Sequence, residues 1–355
     1  MHCHRSLSAV RRLHTIHAKK LLYCDYGEPS QVVKLVEEKI TPPQNNEIIV
    51  EMLGAPINPA DINTVQGVYP IKPPLPSVPG NEGVGRVLSV GSDVKNLSTG
   101  DTVVPLEVGL GTWRTHGAFD ASKWMKVSNK LGIAEAATLL TNPPTAYRML
   151  KDFVSLKPGD VVIQNGANSA CGQYVIQLCN AWNLISVNVV RDRPNIAELK
   201  DSLTKLGASH VLTEEELRST SLFKSGGVKA PKLALNCVGG QSGMEILRKL
   251  QPKGVHVTYG GMSRQPVTAP TSALIFKDAQ LRGFWMSRWS KENASSDERQ
   301  KMFQEIVDLM LKGVVKAPAH KLLPFKEFEV PLKKTLDMKG FTGQKFIFTF
   351  CDNVS

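Results

Sequence analysis

A single phenol, Tyr69, stands in a stretch that no helix or central strand would tolerate: "QGVYPIKPPLPSVPGNEGVG", residues 66–85. Proline removes backbone donors and fixes φ, so the stretch is a stiff, shaped loop. A ring held there either packs against the fold or offers a proton, which a phenol retains at neutral pH. A second signal is "GANSACG", residues 166–172, where Asn168, Ser169, Ala170 and Cys171 lie between two glycines. The strand-like run "DVVIQN" precedes it and the helix-like "QYVIQLCNAW" follows. Strand, small-residue turn and helix N-terminus together let a backbone approach a pyrophosphate and offer it free N–H groups. Arg191, Asp192 and Arg193 come next, beginning 19 residues after Gly172. At that place an NAD site presents an acid to the ribose 2′-hydroxyl and an NADP site presents arginine to the 2′-phosphate. Two guanidiniums around one acid favour NADP(H), because each is always charged and matches a phosphate bidentately. Tyr259, Gly260, Gly261 and Met262 end a later strand, and Phe284, Trp285 and Met286 close the one after it. Paired glycines at a strand end permit close approach of a cofactor. The aromatics either fill core or wall a nicotinamide or acyl chain.

The elements that position these groups change character along the chain. From about Ala18 to Phe119 the runs "EIIVEML", "GVGRVLSV" and "DTVVPL" are short, β-branched and separated by turn residues, with no helical period. From Ala134 onward, "IAEAATLLTNPPTAYRML" predicts helix, proline-marked break and helix. Apolar strands and helices then alternate through "LISVNVV", "NIAELKDSLTKLG", "HVLT", "KLALNCVGG", "GVHVTYGG" and "QLRGFWM". That alternation predicts an α/β fold, a β-rich domain joined to a parallel, doubly wound sheet. A final helix, "ERQKMFQEIVDLMLKG", leads to "KFIFTF", which is expected to rejoin the first domain.

Composition narrows the setting. Hydrophobic residues make up 42% and charged residues 21% of 355, as in a globular enzyme of two domains. No run reads as membrane-spanning. The six cysteines are scattered without CxxC spacing, against a disulfide framework or structural zinc. The first 24 residues carry Arg5, Arg11, Arg12, Lys19 and Lys20 and no acid, the composition of a mitochondrial transit peptide cleaved between Leu13 and Tyr23. Loss of those five basic residues would take the formal charge from +11 to +6. That excess suits an acidic partner or simply keeps the protein soluble. No basic stretch is interleaved with aromatics, which argues against a nucleic-acid module.

Taken together, the chain resembles the medium-chain dehydrogenase/reductase superfamily, with "NPADINTVQGVYPIKPPLPSVPGNEGVG" as its amino-terminal signature. Zinc members of that superfamily carry Gly-His-Glu where this chain has Gly80, Asn81 and Glu82, and the four-cysteine structural lobe is absent. Within the zinc-free branch, "QGVYP", "GNEGVG", "NPPTAYRML", "QNGANSACGQ", "RDRPN", "YGGM" and "GFWMSRW" are similar to mitochondrial enoyl-thioester reductases. The resemblance implies a GroES-like catalytic domain over 21–142, a Rossmann domain over 143–312 and a return to the first domain over 313–355, behind a leader over 1–20. It implies that Tyr69 is the catalytic proton donor. It places NADPH against Asn142, Asn168 to Cys171, Arg191 to Arg193, Tyr259 to Met262, Phe284 to Met286 and Lys345. It implies no metal, an enoyl thioester carried on acyl carrier protein or CoA, a homodimer, and a role in mitochondrial fatty acid synthesis. The family's turn holds more glycine than "NSAC". A zinc-free quinone oxidoreductase of the same superfamily, and a non-enzymatic NADPH-binding protein, are the rival readings.

Overall fold

The computed structural model describes residues 15–224, 227–334 and 344–350. Two units emerge. One holds the described residues up to Ala55, with Pro59–Asn129 and 349–350; the other holds Pro56–Asn58 and Lys130–Phe348. The second unit takes in the helices of residues 133–152.

The first unit runs β1 (Ile16–Leu22), α1 (Pro29–Val32), β2 (Lys34–Ile40), β3 (Glu47–Pro56), α2 (Pro59–Val65), β4 (Val84–Val90), β5 (Thr102–Pro105), β6 (His116–Asp120) and β7 (Trp124–Lys126). β1 and β2 pair antiparallel from Ile16↔Ile40 to Leu22↔Lys34. β3 lies between β4 and β6, and the sheet continues through β5 to β7, all antiparallel. Alternation along β3 explains its place. Ile48, Val50 and Met52 join Val87, Val103, Phe119 and Trp124 in one core, while Ile49 packs with Ala18 and Ile40 on the other side. α2 was not expected from the sequence; seven residues opening on proline are too few to show a period.

β1 takes up part of the basic amino-terminal segment. Arg5, Arg11 and Arg12 lie outside the described residues, but Lys19 and Lys20 belong to β1. The Lys19 N–H donates to Thr115 Oγ1 at 2.9 Å and the Leu21 N–H to the Trp113 carbonyl at 3.0 Å. Ala18 and Leu21 are buried, and Leu21 alone is worth about 2 kcal/mol of apolar burial. A basic, acid-free composition describes a leader and a lysine-bearing strand equally well, and Lys19 and Lys20 take part in the strand.

The second unit runs α3 (Ile133–Ala137), α4 (Asn142–Asp152), β8 (Val161–Gln164), α5 (Ala170–Ala181), β9 (Ile185–Val190), α6 (Ile196–Lys205), β10 (His210–Thr213), α7 (Glu214–Ser219), β11 (Leu233–Asn236), α8 (Gly240–Lys249), β12 (Val255–Thr258), α9 (Thr271–Ile275), β13 (Gln280–Gly283), α10 (Met286–Glu292), α11 (Asp297–Leu311), β14 (His320–Pro324), α12 (Glu329–Lys334) and β15 (Lys345–Thr349). Its parallel six-stranded sheet has the order β10-β9-β8-β11-β12-β13. The order reverses between β8 and β11, and ligands of such sheets bind beyond the carboxyl strand ends at that switch point. Val161, Ile163, Val187, Val189 and Ala234 pack one side against Ile246, Leu247 and Leu250; Ala167, Ile176 and Leu203 lie on another core.

Candidate active and cofactor sites

At the carboxyl end of β8, Gly166 adopts φ +56°, and a Cβ there would stand 2.5 Å from Cys237 Sγ. Only glycine fits the turn. Ser169 caps α5, its hydroxyl accepting from the Gly172 N–H at 3.1 Å. Asn168 is fixed from the same helix, its carbonyl accepting from Gln173 Nε2 at 2.9 Å. Gln173 Oε1 in turn accepts from the Ala319 N–H, and the Lys345 N–H donates to the Ala319 carbonyl at 2.7 Å. This chain of bonds sets Lys345, which is buried, beside the turn; its ammonium also binds Asn58 Oδ1 and lies close enough to act on Cys171.

Around that turn sit polar atoms that the protein itself leaves unsatisfied. Asn142 Nδ2, at the first residue of α4, is buried without a hydrogen-bond partner. The Tyr259 hydroxyl is buried between the Cys171 and Cys237 thiols, yet nothing meets it with hydrogen-bond geometry. Burial pushes the Tyr259 phenol and both thiols upward, so all three stay protonated. The Cys171 thiol reaches the Asn142 carbonyl at 3.8 Å. A buried donor without a partner costs about 1–3 kcal/mol, so two at one strand-end cluster mark a place where a polar ligand belongs.

Beyond β9, the Asp192 carboxylate accepts from the Arg193 N–H at 2.9 Å. Arg191 is exposed, and partial burial, with the neighbouring Arg191 charge, lowers the Arg193 pKa. Two guanidiniums close enough to repel form a natural anion seat. Gly260 to Met262 are held against β11, with the Met262 N–H donating to the Cys237 carbonyl at 2.9 Å. The Met262 side chain is exposed, Met286 is buried, and Phe284 stacks edge-on with Phe153 at 5.9 Å. Ala170 opens α5; Trp285 is the residue before α10.

Sequence reasoning missed the buried amides beneath these turns. Asn165 Nδ2 donates to Asn236 Oδ1 at 2.8 Å, while Asn165 Oδ1 accepts from the Cys237 N–H at 2.9 Å. Asn236 Oδ1 also accepts from the Val238 and Gly239 N–H groups, and its Nδ2 donates to Thr258 Oγ1 at 3.1 Å. The ends of β8, β11 and β12 are thereby tied together. The signal was present: "DVVIQN" and "KLALN" are apolar strands that end in amides.

Tyr69 belongs to the first unit. α2 ends in a Schellman turn, with the Gly67 N–H on the Thr64 carbonyl and the Val68 N–H on the Asn63 carbonyl, both at 3.0 Å. The Tyr69 N–H shares that Asn63 carbonyl at 3.1 Å. Gly67 supplies the required positive φ of +73°. A helix C-terminus therefore fixes the backbone that carries the phenol. Tyr23, Thr64, Pro73, Ser77 and Asn81, among others, line a small recess in the same unit. Asn81 donates through both its N–H and its Nδ2 to Asp61 Oδ1, at 3.0 and 2.7 Å. Among the described residues, no three His, Cys, Asp or Glu side chains converge where a metal could sit.

Residues 44–142 match the alcohol dehydrogenase GroES-like domain, and residues 170–310 match the zinc-binding dehydrogenase family. The mitochondrial enoyl-[acyl-carrier-protein] reductase of Rattus norvegicus is 48% identical over 94% of this chain and 89% of its own length. A solved complex of Etr1p with NADP and crotonyl-CoA has a TM-score of 0.87 at 37% identity, covering 94% of this chain and all of that one. Etr1p is a mitochondrial 2-enoyl thioester reductase of Candida tropicalis. Escherichia coli quinone oxidoreductase, solved with NADPH, shares the fold at a TM-score of 0.78 but only 24% identity over 94% of this chain and all of its own. At 48% identity to the rat enzyme over nearly the whole length of both, the chain belongs to the enoyl-[acyl-carrier-protein] reductase family of medium-chain dehydrogenase/reductases.

Proposed function

We propose that the chain reduces trans-2-enoyl thioesters to saturated acyl thioesters with NADPH, in mitochondrial fatty acid synthesis. The observation that carries this reading is the pair of unsatisfied donors, Asn142 Nδ2 and Tyr259 Oη, at the glycine turn of a doubly wound sheet. They fit the cofactor's polar nicotinamide end, Gly166 and Ser169 suit its pyrophosphate, and Arg191 and Arg193 suit its 2′-phosphate. When bound, NADPH supplies the hydride taken up at the β-carbon of the enoyl thioester.

The chain's own residues have three tasks. Asn142, Tyr259 and Lys345 orient the cofactor, and the capped turn from Asn168 to Cys171 anchors it. Some donor must meet the negative charge that develops on the thioester oxygen. Tyr69 then delivers a proton to the α-carbon, and the backbone bonds that fix its loop keep the phenol from wandering. The substrate is carried on acyl carrier protein or CoA, and a surface with excess positive charge suits the acidic carrier. Cleavage of the leader before Ile16 keeps β1 whole.

Steady-state assays with crotonyl-CoA test the reading. Tyr69→Phe is expected to keep NADPH affinity while turnover falls on the order of 10²-fold or more. Wild-type turnover in that variant removes the proton-donor role. Faster reduction of a quinone than of any enoyl thioester by the unaltered protein overturns the substrate assignment.

A further inference from the structure

The segment 23–28, which precedes α1, bonds to the chain on both sides of Tyr69, from Val65 to Ser77. At one end, Tyr23 and Ser77 exchange backbone hydrogen bonds, both at 3.0 Å. At the other, the Gly27 N–H donates to the Val65 carbonyl at 3.0 Å, just where α2 ends. Tyr26 fills the middle. Its hydroxyl donates to the Pro73 carbonyl at 2.8 Å. Its side chain lies against Gly67, where an added Cβ would stand 3.0 Å from Tyr26 Cβ and Cγ. Lys72 Nζ sits 5.9 Å from the centre of the same ring. One side chain thus touches the loop two residues before Tyr69 and grips it four residues after.

We infer that Tyr26 is a positioning residue for Tyr69, acting through the loop and touching neither substrate nor cofactor. The inference rests on Tyr69 being the proton donor. Its physical content is simple. Tyr69 has its backbone N–H fixed by Asn63, but the prolines that follow have no N–H with which to anchor the downstream arm. The Tyr26 hydroxyl supplies the missing donor, and its ring fills the space above the only residue of the Schellman turn that lacks a side chain. Displacement of a reacting group by a fraction of an ångström costs rate without costing substrate binding.

The test is a set of purified variants assayed with NADPH and crotonyl-CoA in H2O and D2O: Tyr26→Phe, Tyr26→Ala, Tyr69→Phe and the double variant Tyr26→Phe/Tyr69→Phe. Tyr26→Phe removes one hydroxyl and keeps the ring, so it separates positioning from folding. It is expected to lower kcat about fivefold with KM for NADPH unchanged, and to raise the solvent isotope effect as proton delivery slows. Tyr26→Ala is expected to lower kcat further. In the Tyr69→Phe background, Tyr26→Phe is expected to change nothing, because the group it positions is gone. Wild-type kcat in Tyr26→Phe and Tyr26→Ala, or the same loss with and without the Tyr69 hydroxyl, overturns the inference. Wild-type kcat in Tyr69→Phe instead removes the reading on which it stands.

Discussion

A hydroxyl with no partner inside a protein is a group waiting for one, and Tyr259 illustrates what that costs. Its hydroxyl is buried, unsatisfied and flanked by two protonated thiols. Deleting an unpaired buried hydroxyl relieves a desolvation penalty of about 1 kcal/mol, whereas deleting a paired one incurs a cost. Tyr259→Phe is therefore expected to raise the melting temperature of the free protein by a few degrees and to weaken NADPH binding about tenfold. Calorimetry with and without NADPH checks both signs; a lower melting temperature for the free variant means that the thiols satisfy the hydroxyl after all. Little of this was legible from residues 259–262 themselves. The pattern Tyr-Gly-Gly-Met points to close approach of a cofactor, but burial of the hydroxyl depends on Cys171, in the first turn of α5, and Cys237, just past the end of β11. Asn142 has the same character. Its importance came from the family resemblance alone, and its unsatisfied amide is visible only once α4 is set beside the turn.

Strands and helices were far more legible than the contacts between them. "HVLT" is β10 to the residue, and the helix-break-helix of residues 133–152 lies where proline spacing puts it. Short pieces without a full period, such as α2, and polar residues hidden in apolar strands were not. His256 is one of these. It lies in the middle of β12, fully buried, and neither ring nitrogen finds a partner with hydrogen-bond geometry. Burial pushes its pKa down from 6.5 to about 4, a shift that the nearby Gly243 backbone only partly opposes. The unfolded chain takes up a proton near pH 6.5, while the folded chain resists until about pH 4. Stability is thus unaffected above the unfolded value, falls as pH drops through that window, and levels off below it, for a total of about 3 kcal/mol. His256→Leu is expected to flatten the decline by about one proton's worth between those limits. Urea midpoints measured from pH 7 to 4 on both proteins check it; parallel slopes mean that His256 is already protonated or already paired.

At the scale of the molecule, the sheet of the second unit has an open side. Among the described residues β13 has a neighbour strand on one side only, β12, and all four of its residues are exposed. Next to it Leu274, Ile275 and Phe276 leave apolar surface in water, with Phe276 80% exposed. Natural proteins blunt an edge like this with charge, proline or a covering element. Here the sequence places "ALIF" just before the edge strand, and Arg282 is the only charge within the strand. A two-fold axis through the edge would pair β13 antiparallel with its own copy, satisfying both rows of backbone groups and covering both apolar segments at once. The chain is therefore expected to sediment as a dimer at micromolar concentration. Phe276→Glu combined with Leu281→Lys places four charges across a two-fold contact and is expected to give a monomer that still binds NADPH, since neither residue belongs to the cofactor cluster. Light scattering after gel filtration decides the matter: a monomeric unaltered chain, or a double variant that remains dimeric, means that the β13 edge is left open in solution.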